Sequence, residues 1–222
     1  GYYFLSRPRR FGKSLFLDTL KQAFLGNKEV FRGLYLENNW DWSKKHPVIH
    51  FDLGMGVLQS REVLESGLNY QLDVNYGEYQ LANRYDDADK RFSDLIAQLY
   101  EKYQEQVVIL IDEYDKPILD NIENREVAIA NREGLKNFYS VIKAHDSKLR
   151  LVFLTGVSKF SKVSLFSGLN NLRDITLNAK TSDICGYTQE ELENSFAEHL
   201  ADGNVDLERM KLWYNGYNFG GG

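Results

Sequence analysis

Cysteine, proline and methionine are scarce in this sequence, with one, three and two residues respectively. The single thiol, Cys185, excludes an intrachain disulfide framework and makes a reduced, cytoplasmic setting the expected one. With no paired His nearby, it reads as a small buried apolar residue and not as a nucleophile. Long hydrophobic runs are also missing. Val107 to Ile111 falls far short of the roughly 20 residues of a spanning helix, so no membrane partner is expected. Few prolines and no Ser/Gly/Pro-rich stretch leave no obvious linker, and neither a repeat nor a low-complexity tract is present. An excess of positive charge is lacking too: the formal net charge is −5, which gives no general footprint for nucleic acid. The four histidines, His46, His50, His145 and His199, share no metal-ligand spacing.

What the sequence does contain is apolar material, 43% hydrophobic and 14% aromatic over 222 residues. That suits one large α/β domain, or one domain with a small appendage. Its charge is uneven. The first 50 residues hold nine bases against four acids, and four of those bases, Arg7, Arg9, Arg10 and Lys13, fall within seven positions. A tight basic knot in an acidic chain points to a local anion site, not a polyanion track.

Along the chain, Tyr2 to Leu5 reads as a buried strand. A basic loop follows, in which Pro8 prevents helix. From Lys13 the period changes: Phe16, Leu20, Ala23 and Phe24 share a helical face, and Gly26 ends it. A second strand follows Pro47, while residues 54–86 are ambiguous, with helical patches around Glu62–Leu72. The clearest helix carries Phe92, Leu95, Ile96, Leu99, Tyr100 and Tyr103 on one face. It runs into a continuous apolar strand of the central parallel type. Pro117 starts a short helix, and a longer one carries Leu135, Phe138, Tyr139 and Ile142. Thr188 with Glu191 forms a capping box. The five candidate strands are 2–6, 48–53, 107–112, 150–155 and 174–177, and their alternation with helices predicts a parallel sheet covered on both faces. A core of residues 1–178 and the start of a C-terminal helical, lid-like segment at 179–222 are expected.

Strand, basic loop, helix is the order a phosphate cradle requires, because inward-pointing amides and a helix N-terminus both favour an anion. Gly12-Lys13-Ser14 fills the second half of G-x-x-x-x-G-K-[ST], with Arg7 in place of the first glycine. Gly12 allows close backbone approach, Lys13 would bridge the β and γ phosphates, and the Ser14 hydroxyl would ligate Mg²⁺. The strand at 107–112 ends in Asp112-Glu113. At that sheet edge the first acid can hold Mg²⁺ through water and the second can orient or deprotonate the attacking water. A strand lies between the two motifs, the mark of P-loop proteins with an added strand and the order 5-1-4-3-2. Asp115 could join the water network but reads more simply as a surface or helix-capping residue ahead of Pro117, and Asp52 either faces the nucleotide or makes a structural hydrogen bond. Trp40 and Trp42 read as packing residues.

The strings Tyr3 to Leu15, Val48 to Asp52, Leu110-Ile111-Asp112-Glu113-Tyr114-Asp115, Leu154 to Phe160, Phe166 to Leu172 and Trp213-Tyr214-Asn215-Gly216-Tyr217 resemble the bacterial AAA-ATPase-like family, P-loop relatives of the STAND-type NTPases. The resemblance implies ATP as the nucleotide. It also implies a fragment holding the ATPase part, with a further C-terminal domain, often nuclease-like, beyond these residues. It completes a nucleotide-binding set of Arg9, Arg10, Phe11, Gly12, Lys13, Ser14, Leu15 and Thr155, with Ser14 and Asp112 for the metal and Glu113 and Lys13 for catalysis. Thr155 stands where related ATPases sense the γ-phosphate, the alternative being a buried hydroxyl bonded to backbone. Lys162 or Arg173 could reach a nucleotide, although each reads more simply as a solvated charge.

Three functions compete. One is an Mg²⁺-dependent ATPase whose hydrolysis drives a conformational change, for which Glu113 argues. Another is a nucleotide-gated switch with negligible turnover, for which Arg7 argues. The third is an ATPase part serving an attached nuclease, which rests on the resemblance alone. Homo-oligomerisation stays open.

Overall fold

A computed structural model of the protein describes residues 1–56, 58–158, 171–201, 207–214 and 219. Lys162 and the motif segments at 159–170 and 215–218 lie outside the described residues. Five strands, β1 (Tyr2–Ser6), β2 (Val48–Asp52), β3 (Val107–Asp112), β4 (Leu149–Gly156) and β5 (Leu172–Asp174), form a parallel sheet in the order β2-β3-β4-β1-β5. Read from the other edge, this is the expected 5-1-4-3-2. β1 stands beside β4, and β3 lies between β2 and β4. The chain divides into two compact units, Gly1–Arg173 and Asp174–Gly222.

Both faces of the sheet are covered, and the period-2 alternation of the strands sorts their side chains. Phe4, Ile49, Phe51, Ile109, Ile111, Val152 and Leu154 point to one core. There they meet the helices α3 (Arg61–Glu78), α4 (Ala88–Tyr103) and α6 (Arg125–Ala144), which pack on one another. At its centre Phe92 and Phe138 stack with centroids 4.6 Å apart, and Phe51 meets each ring edge-on at 5.1 Å. The alternate residues turn to α1 (Lys13–Leu25), whose Phe16 meets Phe153 of β4 edge-on. Because β3 is buried along its whole length, it reads as a continuous apolar run and not as an alternating one.

Local signals explain most helix ends. Gly26, at φ 78, donates to the Ala23 carbonyl while Asn27 donates to Gln22, the paired reverse bonds that close a helix on a left-handed residue. The Thr188–Glu191 capping box forms at the start of α7 (Gln189–Ser195), followed by α8 (Ala197–Ala201) and α9 (Leu207–Tyr214). Pro117 opens the single turn α5 (Lys116–Leu119). Trp40 and Trp42 pack on Phe24 and Phe31, as their composition suggested. The short helix α2 (Leu36–Asn39) carried no periodic signal. The fifth strand is shifted from the expected 174–177 to 172–174. The Asp174 carboxylate accepts from the Thr176 N–H at 2.9 Å, a local turn that ends the strand where continued pairing was expected.

The ambiguous segment 54–86 resolves into the 18-residue helix α3, which covers the open edge of the sheet. β2 is the terminal strand, and three side chains, two on α3 and one from its C-terminal cap Tyr79, treat its backbone as a partner strand would. The Gln71 amide pairs with Asp52 N–H and C=O at 2.5 and 2.7 Å, and Asn75 with His50 at 3.2 and 3.1 Å. The Tyr79 hydroxyl accepts from Val48 N–H and donates to Val48 C=O, at 2.6 and 2.9 Å. Four helical residues rise ~6 Å and two strand residues ~6.6 Å, so the two spacings stay in step over three contacts. This ladder meets the strand edge that would otherwise pair with another chain. Replacing Asn75 by Leu is expected to cost roughly 2–5 kcal/mol, because the His50 amide and carbonyl lose their partners in a buried place. Urea denaturation measures the loss, and size-exclusion chromatography is expected to show added self-association.

Candidate functional site

The loop between β1 and α1 contains two left-handed residues, Arg10 at φ 67 and Gly12 at φ 88. A Cβ on Gly12 would meet nothing within 4 Å, so glycine is needed there for its backbone angle and not for space. Arg10 adopts the same region at a cost of about 1–2 kcal/mol. Left-handed residues recurring in a turn direct successive N–H groups to one side, which makes an anion-binding concavity, and α1 begins immediately after it. Lys13 is buried, and its ammonium donates across the loop to the Pro8 carbonyl at 3.1 Å. Arg9, Arg10, Gly12, Ser14 and Leu15 are exposed and Phe11 is half-buried. Arg7 stands apart from the other bases of the knot. Only 1% exposed, it bonds Ser6 O through its guanidinium and Gly156 O through its N–H, at 3.0 and 3.2 Å. It forms the base of the loop, while Arg9 and Arg10 remain exposed.

The acids gather at the C-terminal edge of the sheet. Asp112 closes β3 directly opposite Asp52 of β2. Its Oδ1 accepts the Glu113 N–H at 3.0 Å and a very short bond from the Thr155 hydroxyl. Thr155 is fully buried, and its hydroxyl serves this carboxylate, not a backbone carbonyl as one reading held. Glu113 is left-handed at φ 50, an unusual backbone for a non-glycine residue that costs energy to hold. Burial above all, then the charges of Asp112 and Asp52, push its carboxyl above the usual range, while Lys13 and Lys116 pull it down. A Cβ on Gly54 would lie 2.8 Å from both Asp52 Oδ1 and Glu113 Oε2, so these carboxylates converge on one point. Asp52 also accepts the Gly54 N–H at 2.7 Å, the structural hydrogen bond that was one of the two roles open to it.

Asp112, Glu113, Thr155 and Lys13 are thus brought together. Among the described residues no hydrogen bond joins the Ser14 hydroxyl to Asp112, and Arg173 is exposed on β5. No group of three or more His, Cys, Asp or Glu among the described residues is arranged to hold a metal by itself.

Residues 1–166 match the family described as "Predicted AAA-ATPase", an AAA-ATPase-like family. The chain belongs to that family. With its parallel sheet and phosphate loop it is a P-loop ATPase-like domain, and the family is one of nucleotide binders. A similar curated protein is described as "Uncharacterized protein in vnfD 5'region", from Azotobacter chroococcum mcd 1, with 49% identity over 220 residues covering 99% of this chain. The chain spans only 42% of that relative's length. A chain in the structure of Drosophila ORC bound to poly(dA/dT) DNA and Cdc6 aligns at a TM-score of 0.42 and 12% identity. It covers 90% of this chain and 27% of that one, and a likeness this distant carries no functional argument. No helix among the described residues is long and apolar enough to cross a membrane.

Sequence reasoning missed the ATPase-like domain's second ring of residues. Asp115, expected at the surface or as a cap, is 1% exposed and makes no cap bond to α5. Tyr114 is fully buried and meets Phe4 of β1 edge-on. Gly156 ends β4 where a Cβ would lie 2.5 Å from the Tyr114 ring and 2.8 Å from Asp115 Oδ1. The only sequence signal for these three was a small residue closing an apolar strand and two further residues after the acid pair. Gly156→Ala is therefore expected to destabilise the domain by about 1–3 kcal/mol through overpacking, read as a lowered midpoint in urea with an unchanged slope.

Proposed function

We propose that the chain binds ATP together with Mg²⁺ and hydrolyses it, turnover driving a conformational change of the whole protein. The observation that carries this reading is the convergence of Glu113, held in a strained backbone, with Lys13 and with the Asp112–Thr155 pair at one sheet edge. Strain of this kind persists where surrounding structure over-determines it, and it clusters at functional sites. The donors suit a hard cation: Ser14 offers an exposed hydroxyl at the first turn of α1, and Asp112 Oδ2 accepts no hydrogen bond among the described residues. Ser14 and Asp112 would hold the metal, which when bound neutralises phosphate charge.

The protein's own groups divide the remaining work. The loop amides from Arg9 to Leu15 and the Lys13 ammonium bind the phosphates, and Arg9 and Arg10 add exposed positive charge beside them. Thr155 holds Asp112 in place and reports on the γ-phosphate. Glu113, its proton affinity raised by burial, takes a proton from the attacking water. The setting is cytoplasmic, and residues 1–178 act as the core against a lid-like segment from 179 onward. A further C-terminal domain and self-association belong to the same proposal. One observation favours a second reading. The arginine at the first loop position is drawn into the loop's base, which fits a nucleotide-gated switch with negligible turnover, serving an attached domain.

Lys13→Ala is expected to weaken ATP·Mg²⁺ binding by roughly 1.5–3 kcal/mol for the lost charge-assisted contact, with the fold retained. Calorimetric titration of both proteins measures it, and equal affinities would remove the loop from nucleotide binding.

Glu113→Gln separates the enzyme from the switch. The variant is expected to bind ATP as the parent does and to release phosphate ~10²–10⁴-fold more slowly at saturating ATP in the full-length protein. A parent that binds tightly without turnover selects the switch, and a variant that matches an active parent removes Glu113 from the mechanism.

A further inference from the structure

Asp115 has no part in the chemistry above, yet it is the most tightly held acid near the site. Its Oδ2 accepts three donors, the N–H groups of Val157 and Ser158 at 3.0 and 2.7 Å and the Ser158 hydroxyl at 2.7 Å. No ion pair reaches it among the described residues. A buried carboxylate left without donors costs several kcal/mol, so the three bonds fix the backbone that supplies them. Two neighbouring contacts reinforce the hold. Tyr114 donates its N–H to Thr155 O and its hydroxyl to Ser158 O, both at 3.0 Å. Arg7 N–H reaches Gly156 O from the base of the phosphate loop, and the absence of room for a Cβ at Gly156 leaves the joint no slack.

We propose that Asp115 is a positioning residue of the nucleotide site, acting through the strand end Thr155–Ser158 to hold the Thr155 hydroxyl against Asp112. This proposal rests on the nucleotide-binding reading above and deepens it. Thr155, Val157 and Ser158 are hydrogen-bonded to the turn Asp112–Asp115, and Gly156 between them is bonded to the phosphate loop. The three segments that would surround a γ-phosphate therefore move as one body. Without Asp115, three donors at Val157 and Ser158 lose their acceptor, and the β4 exit beyond Thr155 keeps only the sheet pairing with β1 and the Tyr114 contacts to hold it. Affinity comes mainly from the loop amides and Lys13, which Asp115 does not touch. Rate and signalling depend on placement of Asp112, Glu113 and Thr155, where an error near 1 Å costs on the order of 10²-fold.

The test compares the full-length parent with Asp115→Asn and Ser158→Ala. ATP·Mg²⁺ affinity is read by calorimetry, phosphate release in a single turnover, and backbone amide exchange over residues 155–158 with and without ATP. Asp115→Asn is expected to bind ATP within ~3-fold of the parent and to release phosphate ~10–100-fold more slowly. It is also expected to lose the ATP-dependent change in protection at Thr155–Ser158. Ser158→Ala, which removes one donor and leaves the carboxylate in place, is expected to shift rate and protection the same way by a few-fold. Exchange reports on the coupling even in a protein without turnover. A parent that fails to bind ATP overturns the nucleotide reading itself and this proposal with it. A parent that binds ATP, beside an Asp115→Asn variant with parental rate and protection, overturns the positioning role alone. Should Asp115→Asn fail to fold, a parental rate and protection in Ser158→Ala overturn it equally.

Discussion

Everything at the site depends on β3 being buried on both faces while it ends in a carboxylate. A strand so placed can carry apolar side chains only, and its first polar residue must come where the sheet stops. Asp112 is that residue, 3% exposed, and it remains there because the Thr155 hydroxyl from one side and the Glu113 amide from the next turn satisfy it. A buried acceptor left unpaired costs several kcal/mol, so strand β4 must deliver a hydroxyl at that level. Pairing of β3 with β4, regular beyond the register shift at Val107/Val108, sets that level, and pairing with β2 places Asp52 opposite Asp112.

Backbone strain gathers at the same edge. Arg10 and Glu113 both occupy left-handed conformations as non-glycine residues, and they border the phosphate loop and the acid cluster. Neither is at a place where glycine would have weakened packing. A cation and an anion therefore stand beside the phosphate loop and the acid cluster. The opposite economy applies at Gly156, where the side chain is absent because Tyr114 and Asp115 occupy its space.

At the far side of the sheet the problem is different. β2 is an edge strand with backbone groups that would pair with any extended chain, and α3 answers with Gln71, Asn75 and its C-terminal cap Tyr79. Those three side chains are spaced by four along a helix and read alternate residues of a strand. The arrangement also braces Asp52, whose N–H and C=O both pair with Gln71, and so fixes the edge on which the acids converge.

The strand order and the phosphate loop were legible from local pattern alone, because a continuous apolar run, a change of period at Lys13 and the Gly-Lys-Ser string each report on the residues that carry them. So was the acid pair at the end of β3. Segment 54–86 was not, since Gly67 and Gly77 and the amide side chains of Asn69 and Asn75 dilute the helical period of α3. Their reason lies across space, in a strand edge more than 15 residues away. Asp115 was misread for the same cause. A charged residue in a loop looks solvated until the fold brings donors and acceptors around it. The sequence by itself determined strands β1 to β4, most of the helices and the Gly-Lys-Ser turn between a strand and a helix, since those follow from periodicity and short motifs. Only the tertiary structure decided which charges are exposed and which serve as ties, because burial and hydrogen-bond partnership are set by residues far apart along the chain.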